Sequence, residues 1–228
     1  MYPTLAALFL AHVIADFVLQ TNAMVASKST PLTLAKHGAV ILITAAVATA
    51  SFSPWLLLLT AAHLAIDLVK TRTPRNFWPF VIDQAAHGVT ILLAAPLVQT
   101  GWSPALTAVM ALAAGAILAT RAGGFAIGLL MQPWAAEAIG LSGAGRVIGN
   151  LERSLIFLLI LSGQTQNIGF LIAAKSVLRF GTVADDRKVS EYVIIGTLAS
   201  VSWAIAATLI TTYLLNHLPP LGIPDLLP

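Results

Sequence analysis

Three pairs of histidine and aspartate recur at the same spacing within hydrophobic segments of this chain. The pairs are His12 and Asp16, His63 and Asp67, and Asp83 and His87. Residues four apart share one face of a helix, so each pair can present an imidazole and a carboxylate together. Such nitrogen and oxygen ligands bind divalent transition metals. The chain has no cysteine, which excludes disulfides and thiolate metal sites.

The direction of the helices predicts that these pairs lie at one depth. The histidine precedes the aspartate in the first two pairs and follows it in the third. If the first two helices run inward and the third runs outward, each histidine lies one turn, about 5–6 Å, deeper than its aspartate. His37, near the start of another hydrophobic segment, adds a fourth imidazole at similar depth. We therefore expect one pocket near the cytoplasmic face.

A metal centre is favoured because buried carboxylates need compensation. A carboxylate at the centre of a membrane helix costs about 3 kcal/mol, and two divalent cations would offset three aspartates. Helix bundles build dinuclear centres from such ligands, and this ligand set favours Zn²⁺, Mn²⁺ or Fe²⁺ over Ca²⁺. The predicted ligands are His12, Asp16, His37, His63, Asp67, Asp83 and His87.

Simpler interpretations exist for individual residues. A lone intramembrane histidine is equally explained as a packing residue, and one histidine–aspartate pair as a proton relay or an internal ion pair. His37 lies beside Lys36 and could be solvated at the interface. Gln20 and Lys70 could contact a ligand or substrate, although the preferred interpretation is a side chain that extends from a helix end to water.

The elements that carry these residues are membrane helices. The chain has 228 residues, of which 58% are hydrophobic and 9% charged, and its mean hydropathy is +0.89. Soluble domains carry about 25% charged residues. The net charge of +3 requires no nucleic-acid partner. The composition predicts an all-α, polytopic membrane protein.

Eight segments are apolar enough to be predicted as spans of about 20 residues, the seventh being short and the fifth long, with a break at Gly123-Gly124. They are 3–20, 32–50, 54–70, 80–99, 104–131, 146–162, 167–180 and 190–215. The first carries His12 and Asp16, lacks a basic n-region, and is therefore predicted to be a retained helix. Basic residues collect in alternate loops, which the positive-inside rule places on the cytoplasmic side of a bacterial inner membrane. Eight spans then leave both termini in the periplasm.

An internal repeat indicates how the first four spans arose. Residues 11–18 (Ala-His-Val-Ile-Ala-Asp-Phe-Val) resemble residues 62–69 (Ala-His-Leu-Ala-Ile-Asp-Leu-Val). This similarity predicts a repeated hairpin whose interface holds the site. We accordingly divide the chain into a metal-site half, residues 1–100, and a second helical half, residues 101–228, with basic residues toward the cytoplasmic side.

The basic residues of the second half predict recognition of an anion. Arginine matches phosphate and carboxylate groups bidentately. The predicted substrate-binding residues are Arg146, Arg153, Lys175 and Arg179. The alternative is that Glu152 and Glu191 simply pair with neighbouring cations, and this explanation is favoured for those glutamates.

The segment around His12 also resembles a known group of proteins. His12, Asp16, Phe17, Leu19 and Gln20 match the opening His-x-x-x-Asp-Phe-x-Leu-Gln of a bacterial membrane family of unknown function. The later pairs fit the same family over about residues 5–95. It is distantly similar to inner-membrane, metal-dependent hydrolases of the YdjM type, which implies hydrolase chemistry.

The leading functional hypothesis is a metal-dependent hydrolase that acts on a lipid-linked or amphiphilic phosphate or ester at the cytoplasmic leaflet. A metal-bound water, acidified toward neutrality, would be the nucleophile. One alternative is a transporter of metal ions or protons that uses the same cluster. Another is a structural or assembly protein in which metal staples helices. The sequence leaves the oligomeric state open.

Overall fold

Most of the described residues are helical. The computed structural model describes the backbone of residues 1–137, 143–183 and 187–220, and within them every side chain except those of 136–137 and 178–183. These ranges contain no β-strand, and the predicted all-α class is confirmed.

Ten α-helices lie within the described ranges. They are α1 (Tyr2–Ile14), α2 (Asn22–Ala26), α3 (Pro31–Thr49), α4 (Trp55–Lys70), α5 (Phe77–Ala94), α6 (Pro104–Ile117), α7 (Gly123–Met131), α8 (Ala144–Leu161), α9 (Asn167–Val183) and α10 (Arg187–Leu215). One π-helical turn, Ala15–Leu19, follows α1, and a second, Leu118–Ala122, joins α6 to α7. The irregular turn therefore comes just before Gly123-Gly124, where the sequence predicted a break.

Within the described part of the chain, five helical segments are long and apolar enough to cross a membrane. They are Tyr2–Leu19, Pro31–Thr49, Phe77–Ala94, Pro104–Ala135 and Arg187–Leu215. Side chains such as Ile43, Val47 and Leu93 point outward from them, as expected of helices that face lipid. These properties are compatible with a membrane protein.

The chain forms two compact units. The first contains Met1–Ile117 and Tyr213–Leu221, and the second contains Leu118–Thr212. In the first unit, α1 packs between α3 and α6, and α4 packs against both α3 and α5. Alanines such as Ala6, Ala7 and Ala111 are fully or almost fully buried. Within a lipid bilayer no hydrophobic driving force brings helices together, and small residues favour their association because they let the backbones approach closely.

The two ends of the first unit differ in polarity. At one end, the Thr4 hydroxyl donates to the carbonyl of Val98 (3.1 Å), and the amide of Gly101 donates to the carbonyl of Thr49 (2.9 Å). These connections carry no charged side chain. At the other end, Lys28 and Lys70 extend toward the interior from the segment before α3 and from the last residue of α4. The charged loops thus meet at one end of the bundle.

Local sequence signals fix where α3 begins. Thr30 is extended, and its hydroxyl accepts a hydrogen bond from the amide of Thr33, while Pro31 occupies the first helical position. Both features favour a helix start. His37 therefore lies in the second turn, facing α4. The following Gly38 permits this approach, because a Cβ there would come within 2.9 Å of Leu64 Cδ1.

Candidate metal centre

The seven predicted ligands converge in one place inside the first unit. We call this set, which consists of His12, Asp16, His37, His63, Asp67, Asp83 and His87, the His/Asp cluster. It draws side chains from α1 and its π-helical turn, from α3, from α4 and from α5. His37 and His87 are fully buried, Asp67 is 1% exposed, and the side chain of Asp16 is 7% exposed. The sequence predicted this convergence.

The π-helical turn places Asp16 against two other helices. One oxygen of Asp16, Oδ1, lies 3.2 Å from Nε2 of His63 and 3.4 Å from Nε2 of His37. Its other oxygen lies 4.0 Å from Nδ1 of His12 on its own helix. π-helical turns often occur at functional sites, where they redirect a side chain. A regular helix was assumed from the sequence, which carries no clear signal for this turn.

Asp67 lies at the middle of the cluster. Its Oδ2 atom is 3.2 Å from Nε2 of His37 and 3.6 Å from Nε2 of His63, whereas Oδ1 is 3.8 Å from Nε2 of His87. Two atoms that bind one ion at about 2.1 Å with a tetrahedral angle are about 3.4 Å apart. The separations around Asp67 are close to that value.

Three groups of side chains have the geometry to hold a metal ion, counted among the described residues. The groups are His12, His63 and His87; Asp16, His37 and His63; and Asp67, Asp83 and His87. Within each group, one ligand atom per residue lies within 4.8 Å of the others. Two of the groups share His63 and two share His87. Buried histidine and aspartate side chains could therefore hold a metal ion here.

Many polar atoms of the cluster are buried without a hydrogen-bond partner among the described residues. They are His12 Nδ1, Asp16 Oδ1, His63 Nε2, Asp67 Oδ2, Asp83 Oδ1, and both ring nitrogens of His87. A buried polar atom without a partner costs about 1–3 kcal/mol. Such groups are rare in folded proteins and are explained by a catalytic role, a water molecule or an ion, so their concentration here is compatible with a bound metal.

Gln84 determines which ring nitrogen of His12 carries no proton. Its amide nitrogen donates to Oδ2 of Asp83 (3.0 Å), so its oxygen Oε1 faces Nε2 of His12 (3.2 Å). The oxygen can only accept, and Nε2 must therefore carry the proton. The lone pair of His12 is then on Nδ1, which points into the cluster. Hydrogen bonds of this kind orient the histidines of metal sites.

Two lysines and a second glutamine complete the surroundings of the cluster. Lys28 Nζ donates to Oδ1 of Asp67 (2.5 Å), and Lys70 Nζ donates to Oδ2 of Asp83. The amide nitrogen of Gln20 lies 3.2 Å from Nε2 of His37. Gln20 and Lys70 are thus not merely helix-end residues, as the preferred interpretation of the sequence had it.

Sequence reasoning did not identify Lys28 and Gln84 as neighbours of the cluster. In the sequence, Lys28 served only to mark a cytoplasmic loop, because its separation along the chain from the nearest predicted ligand does not indicate a contact. Gln84 does carry one, because it is a polar residue in an apolar helix, directly after Asp83. Intramembrane polar residues commonly have a structural partner.

The predicted anion-binding residues lie in the second unit and have different environments. Arg153 is 3% exposed, and its guanidinium donates to Ser200 Oγ (3.0 Å), the Thr120 carbonyl (3.1 Å) and Asn150 Oδ1 (2.7 Å). Lys175 pairs with Glu152 at 2.7 Å.

Arg146 is exposed near the start of α8, and the side chain of Arg179 lies outside the described residues. The pairing of Glu152 with Lys175, and of Glu191 with Arg187 at 2.9 Å, confirms the explanation preferred for those glutamates. The substrate-binding role of the four basic residues stays a prediction.

Comparison with known proteins finds one family whose model matches part of the chain. Residues 4–114 match the model of the family described as "Protein of unknown function (DUF3307)". The matched segment begins in α1, ends in α6 and contains the whole His/Asp cluster. No curated protein and no solved structure matches the chain. The match fits the predicted resemblance to an uncharacterised family, and its description names no activity.

Proposed function

We propose that this chain is a membrane-embedded, metal-dependent hydrolase whose divalent ion is held by the His/Asp cluster. One observation carries the proposal. Buried nitrogen and oxygen atoms without hydrogen-bond partners among the described residues come from α1 and its π-helical turn, α4 and α5, and face one another at distances suited to a shared ion. Mixed imidazole and carboxylate ligands favour Zn²⁺, Mn²⁺ or Fe²⁺.

The position of the cluster supports hydrolysis near the membrane surface. It lies toward the end of the first unit that carries Lys28 and Lys70, whose side chains are 12% and 31% exposed, and we place the approach of water and of a polar headgroup at that end. A metal-bound water with a lowered pKa would attack a phosphate or ester. The substrate is a lipid-linked or amphiphilic anion, and the resemblance to YdjM-type hydrolases supports this chemistry. Arg146, Arg153, Lys175 and Arg179 are proposed to favour binding of its anionic group.

The charged loops and the apolar segments support a proposed arrangement in the membrane. We place the chain in a bacterial inner membrane with eight spans, the charged loops in the cytoplasm and both termini in the periplasm. The 16-residue α4 is about 24 Å long, which is short for a membrane span. We propose that it crosses the membrane because it packs between α3 and α5. The equivalent burial of the pairs in α1 and α4 supports the proposed repeated hairpin.

Apolar packing on the other side of the histidines favours an enzyme over a transporter. The cluster is followed, toward the uncharged end, by buried apolar residues of α1, α3, α4 and α5. This core includes Ala7, Leu8, Ala11, Ala45, Ala48, Leu56, Leu59, Ile91 and Ala94. An ion path needs polar groups or water to replace the hydration shell. The buried Thr49 and Thr60 hydroxyls in this region donate to carbonyls of their own helices.

The test is the metal content of the purified protein and of Asp67→Asn. We expect wild-type protein to contain zinc, manganese or iron and to hydrolyse a fluorogenic phosphate or ester in lipid micelles. Asp67→Asn should lose both metal and turnover, because it removes a central ligand charge. Glu191→Gln is the matched control, since Glu191 pairs with Arg187 on an exposed surface.

Two results would contradict the proposal. Wild-type protein free of metal after purification without chelator, and still metal-free after incubation with each ion, would remove the centre. Full metal content in folded Asp67→Asn would remove the ligand assignment.

A further inference from the structure

In two of the three aspartates of the cluster, a lysine binds one carboxylate oxygen. We call this the outer oxygen and the other the inner oxygen. Lys28 binds Oδ1 of Asp67, and Lys70 binds Oδ2 of Asp83. The other oxygen of each aspartate is buried, faces the histidines, and has no hydrogen-bond partner among the described residues. Lys70 thus neutralises Asp83 and leaves free the oxygen that faces His87. Lys28 holds the Asp67 oxygen that is nearer to His87 and leaves free the oxygen that faces His37 and His63.

Both lysines act on the same group of ligands. Asp67 and Asp83 belong with His87 to one of the three groups that have metal-site geometry. Nε2 of His87 lies 3.6 Å from Oδ1 of Asp83 and 3.8 Å from Oδ1 of Asp67. The ion pairs and close histidine contacts of Asp16, among the described residues, are instead with His12, His37 and His63.

Charge then limits how many ions the cluster holds. Three aspartates and two lysines leave a single negative charge if the histidines are neutral. One divalent ion brings that total to one positive charge, and a second ion would bring it to three positive charges in a buried site. Uncompensated charge in a low-dielectric interior is strongly unfavourable.

We propose that the ammonium groups of Lys28 and Lys70 take the place of a second metal ion, so that the centre holds one divalent ion. This ion is bound on the side of Asp16 and His63, which the Oδ2 atom of Asp67 also faces. The Asp67–Asp83–His87 group accepts a second ion only when a lysine is removed or withdrawn. The inference rests on the proposed metal centre, and it revises the ion count suggested by the aspartates alone.

The test compares the number of ions bound by wild-type protein and by Lys28→Met/Lys70→Met. Each protein, in detergent, is equilibrated with Zn²⁺ or Mn²⁺, passed over a sizing column and measured by elemental mass spectrometry. We expect one ion per wild-type chain and two per double variant. Lys28→Arg/Lys70→Arg keeps both charges and should bind one. Lys36→Met removes an exposed charge next to His37 and should also bind one.

A further variant locates the second ion. Adding Asp83→Asn to the double methionine variant should return the count to one. If the double variant does not fold, Lys70→Met alone, whose lysine is 31% exposed at the rim, should strengthen binding of the second ion about tenfold or more.

The outcomes separate the two proposals. One ion in both wild type and the double methionine variant, or two ions in wild type, overturns the role of the lysines while leaving the metal centre in place. No bound ion in any of these proteins overturns the metal centre and, with it, this inference.

Discussion

Oδ2 of Asp67 lies 3.2 Å from Nε2 of His37, across the contact between α4 and α3. The two residues belong to different hydrophobic segments, and each also approaches other members of the cluster. His37 reaches Asp16, and Asp67 reaches His63 and His87. This contact joins α3 to α4, and the further contacts of its two residues extend to the π-helical turn after α1 and to α5.

Removal of metal should destabilise the protein. Binding an ion at a thousandfold excess over its Kd stabilises a folded state by about 4 kcal/mol. Without the ion, the buried atoms of the cluster that have no hydrogen-bond partner among the described residues lose the group that would satisfy them. We expect a chelator to lower the Tm of wild-type protein in detergent, measured by intrinsic fluorescence. Asp67→Asn should melt at the same temperature with and without chelator. Equal Tm values for wild-type protein in both conditions would argue against a bound ion.

Gln84→Leu should weaken metal binding without removing any ligand. The amide of Gln84 orients His12 and holds the outer oxygen of Asp83. Loss of such an orienting hydrogen bond typically reduces metal affinity about 10–100-fold. Competition with a chromogenic chelator measures the change. Gln99→Leu is the control, because Gln99 is exposed at the opposite, uncharged end. Equal affinities for Gln84→Leu and Gln99→Leu would show that His12 does not bind the ion through Nδ1.

Gly123→Ala should destabilise the second unit. A Cβ at Gly123 would lie 2.7 Å from Trp203 Cδ1 and 2.9 Å from Arg153 Nε, and the Trp203 indole is held by its bond to the Leu118 carbonyl (2.9 Å). Overpacking of this kind costs about 1–3 kcal/mol. Gly128 is the matched control, because apart from its chain neighbours and its own helix backbone no described atom lies within 4 Å of its added Cβ.

Gly128→Ala should be neutral or stabilising by up to about 1 kcal/mol, since alanine favours helix. Chemical unfolding in detergent, followed by tryptophan fluorescence, compares the two variants. Equal stability of both would mean that Trp203 and Arg153 move aside without cost.

Reconstituted protein should not conduct metal ions or protons. The apolar core that includes Leu8, Leu56 and Ile91 follows the histidines toward the uncharged end, and apolar side chains do not replace the hydration shell of an ion. Proteoliposomes that contain a metal-sensitive or pH-sensitive dye measure the flux. A known ionophore, added at the end, provides the positive control. Flux that depends on the protein and disappears in Asp67→Asn would favour the transporter instead.

Local pattern was sufficient to predict much of the candidate site. The spacing of four residues between His12 and Asp16, and between His63 and Asp67, puts each pair on one helix face wherever that helix lies. The reversed order in Asp83 and His87 predicted an antiparallel helix. The neighbours of these residues were less accessible, because the position of Lys28 depends on how the segment before α3 folds back over α4. Arg153 was assigned to an anion, whereas its polar partners are Asn150, Thr120 and Ser200.

The sequence by itself determined the helical class, the presence of apolar segments long enough to cross a membrane, and the seven residues that the cluster brings together. These properties follow from composition and from the helical repeat, both of which are local. Only the tertiary structure decided that Asp67 is central, that Gln84 sets the proton on His12, and that Lys28 and Lys70 each hold one carboxylate oxygen. Those relationships depend on the rotation of each helix about its axis and on the π-helical turn after α1, and packing between helices sets both.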